Sequence, residues 1–129
     1  MTQEHSSQKQ PRWDEEEALI LADACIKVHN NVAPRKSLIA ATSALLRYRA
    51  EKLGMHPSEK FRNENGIGMQ MTALEREMYK DTRTTWHTSA LFREVGTLFR
   101  EHPEQFDKKL EDVRGRWITP LSTEETSDA

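Results

Sequence analysis

A single cysteine, Cys25, stands in the 129 residues. It cannot form an internal disulfide, and its place in an apolar run reads as a small buried hydrophobe of a reducing compartment rather than a redox centre. No stretch approaches the roughly 18 apolar residues of a membrane span, and residues 1–10 hold no hydrophobic signal region. The expectation is a soluble, cytoplasmic chain with no membrane partner. Catalytic patterns are missing too. Five histidines are scattered without an H-x-x-x-H pair, no C-x-x-C occurs, and no carboxylate-rich calcium loop is present, so neither a metal nor another cofactor is expected. Gly66-Ile67-Gly68 lacks the third glycine of a dinucleotide fingerprint, Met71 standing in its place, and no G-K-[ST] follows. No serine sits in a G-x-S-x-G elbow. Glu15, Glu16 and Glu17 imitate paired carboxylates, but consecutive acids point around a helix instead of converging. A non-enzymatic protein without a small-molecule substrate is the expectation.

What is present is a compact helical pattern. The length suits one domain. Charged residues make up 31% and the hydrophobic set 36%, but the apolar positions recur at regular spacing, as they do not in disordered chains. Residues 1–12 are Gln/Ser-rich and residues 119–129 are Ser/Thr/acid-rich, so both are expected to be disordered tails around a single domain over 13–118. No run alternates with a period of two.

The fold class expected is all-α, a compact bundle of about five helices. Asp14 caps the first, Glu15 to Glu17 suit its positive end, and Ala18, Leu21, Ala22, Cys25 and Val28 keep helical spacing. Extra apolar positions at Leu19, Ile20 and Ile26 imply contact on more than one side, which makes this helix central. Pro34 opens the second, with Leu38, Ala41, Leu45 and Tyr48 as its inward stripe and Gly54 as its stop. The third starts near Asn65-Gly66 and faces inward through Ile67, Met71, Leu74 and Met78. A polar connection over 81–88 carries Trp86. Thr88 or Ser89 caps the fourth, with Val95, Leu98 and Phe99 inward, and Pro103 opens the fifth, with Phe106, Leu110, Val113 and Trp117 inward.

Charge is uneven although the formal net is −2. Residues 14–23 hold five acids and no base, whereas residues 35–62 hold seven bases against two acids. The basic stretch either balances the acidic first helix or forms a local binding face. Its last part runs into FRNENGIGMQM, residues 61–71. Asn63, Asn65 and Gly66 suit a capped helix start. The gathering of Lys60, Arg62, Asn63, Asn65 and Gln70 at one helix N-terminus also suits a nucleic acid, with Lys60 and Arg62 on phosphate and Asn63 and Gln70 as polar contacts. Arg47, Arg49 and Lys52 would extend that surface.

At this motif the chain resembles a small helical module of bacterial proteins that accompanies helicase-like or other DNA-acting domains. WDEEEALIL (13–21) and SALFREVGTLFREHPEQF (89–106) flank the match, and the centre is similar to an F-R-N-P-N-G-V segment upstream of the nuclease in some HNH restriction-type endonucleases. Arg62, Asn63, Asn65 and Gly66 match that signature; Glu64 replaces its proline, and no HNH metal-binding core follows. The resemblance implies an accessory module, DNA-associated, in restriction, defence or a helicase-linked setting, without cleavage. The rival expectation is a protein–protein adaptor or homo-oligomer, with Trp86, Met69 and Tyr79 as its contact and the bases merely balancing the acidic helix.

Overall fold

A computed structural model describes residues 11–79 and 88–119. Among them are five α-helices and no strand: α1 Glu15–His29, α2 Arg35–Lys52, α3 Glu64–Met78, α4 Ala90–Glu101 and α5 Pro103–Val113, the last continuing into a π-helical turn, Arg114–Ile118. The expected all-α fold is what the chain adopts. Trp86, most of the polar connection and most of both expected tails lie outside the described residues.

α1 is the axis of the bundle and touches each of the other four helices. Its N-terminus closes as a capping box, with Asp14 accepting from the Glu17 N–H and Glu17 accepting from the Asp14 N–H. Nine consecutive residues from Glu17 to Cys25 are buried, a burial on all sides that only a helix surrounded by neighbours can have. The core joins Leu21 and Cys25 to Leu46 of α2, Ile67, Met71, Leu74 and Met78 of α3, Val95 of α4, and Phe106 and Leu110 of α5.

α3 begins at Glu64, with Asn63 as its cap; the Asn63 side chain accepts from the Gly66 N–H at 2.8 Å. Ser89 caps α4 in the same way, accepting from the Phe92 N–H. α3 and α4 cross closely at Gly96, where a Cβ would stand 2.7 Å from the Glu77 Cβ. Only a residue without a side chain permits that approach.

α2 departs from its expected orientation. Thr42, Ser43, Leu46, Arg49 and Ala50 are its buried residues. Of the stripe expected to face inward, Leu38 and Leu45 are half-buried, and Ala41 and Tyr48 are exposed. The helix is turned about its axis because two polar side chains have partners inside. Arg49 reaches the carboxylates at the start of α1, and Ser43 donates to the Arg62 carbonyl at 2.7 Å. An apolar count over the helix is blind to both.

Candidate functional site

The segment Phe61–Asn63 links the end of the α2–α3 loop to the cap of α3, and Arg62 takes a left-handed backbone, φ 46°. That conformation is strained for a residue with a Cβ. It carries the side chain inward. Arg62 Nε donates to Glu17 Oε2 at 2.9 Å, Nη2 to Glu17 Oε1 at 2.9 Å and Nη2 also to the Pro11 carbonyl at 3.0 Å. The guanidinium lies 4.4 Å from the Phe61 ring and 4.8 Å from the Trp13 ring. Both partners of this bidentate pair are almost wholly buried, with side chains 3% and 4% exposed. The cation is thus enclosed by one carboxylate, one carbonyl and two aromatic faces.

Two further arginines are committed in the same region. Arg49 donates from Nε to Glu16 at 2.9 Å and from Nη2 to Asp14 at 3.0 Å, and its guanidinium lies 5.7 Å from the Trp117 ring. Glu16 is a junction, accepting also from Trp117 Nε1 at 3.0 Å and from Arg116. Arg47 Nη1 donates to the carbonyls of Ser58 and Phe61, at 2.9 and 2.6 Å, so it braces the loop that leads to Arg62.

The nine residues expected to contact nucleic acid therefore divide. Arg62 and Arg49 are buried in ion pairs with the acidic start of α1 and present no surface to a phosphate, which corrects the role expected of them. Asn63 spends its side-chain oxygen on the cap, and Gly66 supplies the N–H it accepts from. Arg47 is half-buried on loop carbonyls, and Gln70 is half-buried. Lys60 and Asn65 are exposed, as is Lys52, whose Nζ stands 5.5 Å from the Tyr48 ring. Of the rival contact set, Met69 is 67% exposed, whereas Tyr79 is half-buried, stacked on His29 and edge-on to Phe99.

Among the described residues, no buried side-chain nitrogen or oxygen lacks a hydrogen-bond partner. The polar interior is self-satisfied, so nothing in it calls for a ligand. Cys25 fits that picture. Its Sγ approaches the Met71 carbonyl at 3.7 Å, and burial pushes the thiol far above its ordinary range.

The surface that sequence reasoning missed is the outer face of α2. Between α1 and α2 runs a shallow groove of about 340 Å³, lined by Ile20, Ala24 and Lys27 on one side and Leu38, Ala41 and Leu45 on the other, with Ile118 at its edge. Its α2 wall is the very stripe expected to be core. A signal was available, since Leu46 lay off that stripe and α2 therefore had apolar residues on two faces. No protein-family model, curated protein or solved structure matches the chain.

Proposed function

We propose that the chain is a non-catalytic helical module that docks to a protein partner through the outer face of α2, with DNA-acting proteins as the setting that the resemblance at residues 61–71 implies. One observation carries this reading. Among the described residues, the large hydrophobic side chains left exposed are Val32, Tyr48, Leu53 and Met69, and the first three lie on α2 or within three residues of its ends. Together with the half-buried Leu38 and Leu45 they leave α2 with a second apolar face that the bundle does not use. Apolar surface gathered around one element marks an interaction site more often than scattered single residues do.

The test is site-specific crosslinking. A photo-reactive side chain at Ala41 is expected to give a defined covalent adduct in the host lysate, and the same group at Glu94, exposed on α4, is not. Identical adducts at both positions, or none at Ala41, would overturn the reading.

A nucleic-acid reading rests on a smaller set than the sequence suggested, namely the exposed Lys52, Lys60 and Asn65. It predicts that a Lys52→Gln, Lys60→Gln variant binds DNA more weakly and with a salt slope shallower by about two. An anisotropy titration with single- and double-stranded DNA that shows no binding by the parent chain would dismiss it.

A further inference from the structure

We infer that the α2 groove receives an amphipathic helix of a partner protein whose apolar stripe is flanked by acidic side chains. The inference rests on the docking reading above and adds the chemistry of the occupant. Shape comes first. Leu38, Ala41, Leu45 and Tyr48 span three turns of α2, roughly 15 Å at 1.5 Å per residue, the footprint of an i, i+3, i+7 set of anchors on a helix laid alongside. Ala41 and Ala44, both exposed at the middle of that span, let a second backbone come close.

Charge then selects the occupant. The acid that lines the groove, Asp23, is 3% exposed, and both of its oxygens are taken: Oδ2 by Lys27 at 2.9 Å and Oδ1 by Arg114 at 2.7 Å. It is the cations above it that reach solvent. Arg114 is shared with the exposed Glu111 at 3.2 Å, so two lysines decide the sign of the rim. Lys27 lines the groove together with Leu38 at one end of the stripe, and Lys52 lies beside Tyr48 at the other. A helix with acids flanking its apolar face meets a lysine at each end; one with bases there meets repulsion at both.

The experiment uses the full chain and two synthetic helices of about 18 residues, long enough to hold helical structure in water. They share one leucine stripe, and the flanking positions are Glu in one and Lys in the other. Fluorescence anisotropy is expected to show the Glu peptide binding at least about tenfold tighter at low salt, with the advantage shrinking when salt approaches 1 M and the Debye length falls to about 3 Å. Lys52→Gln should reduce that advantage; Lys27 is left in place because Asp23 needs it. Ala41→Gln, at an exposed position that leaves the core intact, should weaken both peptides. Equal binding of the two peptides, lost in Ala41→Gln, would overturn the acidic occupant while keeping the docking face. Binding of neither, or binding indifferent to Ala41→Gln, would overturn both. Self-association seen by sedimentation and lost in Ala41→Gln would assign the face to a second copy and overturn the inference.

Discussion

Replacing Arg62 by Ala should be among the most damaging single changes this fold can suffer. The substitution removes the bidentate partner of Glu17 and leaves a carboxylate whose side chain is 4% exposed with no cation beside it. Breaking a buried pair from one side typically costs about 3–5 kcal/mol, because the remaining charge is uncompensated. A second argument bounds the electrostatic part. A carboxylate of ordinary acidity can escape by taking a proton, at a cost of about 3.7 kcal/mol at pH 7 that falls by about 1.4 kcal/mol for each unit of acidification. The deficit at pH 7 is therefore expected near 4 kcal/mol, a large share of the roughly 5–15 kcal/mol that holds a domain folded.

Sign and shape both follow. In the variant the folded state holds a proton that the unfolded state releases, so acidification favours folding, and the gap to the parent should narrow by about 2–3 kcal/mol between pH 7 and pH 5. Urea denaturation followed by circular dichroism reads this directly. With a slope of about 1–3 kcal/mol per molar, the pH 7 midpoint should fall by more than about 1 M. A double variant, Arg62→Met with Glu17→Leu, should recover part of the loss, because removing both charges leaves neither unpaired. An Arg62→Ala chain within about 1 kcal/mol of the parent, or a deficit that does not change with pH, would refute the claim that this pair is buried and coupled.

The remaining predictions concern other joints of the bundle. Gly96→Ala should destabilise by about 1–3 kcal/mol in a thermal melt, because its Cβ would meet the Glu77 Cβ at 2.7 Å and the backbone carbonyl beside it. Asn63→Ala should cost about 1 kcal/mol through the lost cap of α3, whereas Asn63→Asp should cost much less. Cys25 should resist alkylation in native buffer and react at a rate that tracks global opening, since the thiol is buried and its deprotonation suppressed; labelling as fast as an unfolded control would contradict the placement of α1 at the centre.

Helix positions were legible because they depend on local rules. Asp14, Ser89 and Pro103 stand where the helices start, and the inward residues of α3 and α5 follow a period that one face must obey. The facing of α2 was not legible for a physical reason. Its orientation is set by Ser43 and Arg49, polar residues whose partners lie 19 and more than 30 positions away in the chain. Periodicity assigns polar residues to solvent by default, and here that default put the outer stripe inside. The same blindness made the candidate site look larger than it is. Arg49 and Arg62 contribute to the basic excess of residues 35–62, yet their counter-charges stand at Asp14, Glu16 and Glu17.

The complementary halves of that charge pattern are also what an internal clasp requires. Five acids without a base, followed by seven bases with two acids, describe a binding face only if the two stretches stay apart in the fold. α1 and α2 are instead neighbours, and the motif at 61–63 returns the chain to the start of α1. The distinctive residues of that motif then have structural work that explains each one. Phe61 and Trp13 cover the guanidinium, Arg62 neutralises Glu17, and Asn63 caps α3 one residue later. A docking face made from what remains must come from surface that this clasp leaves unused, and the outer side of α2 is such a surface because Arg49, held at the start of α1, turns it outward.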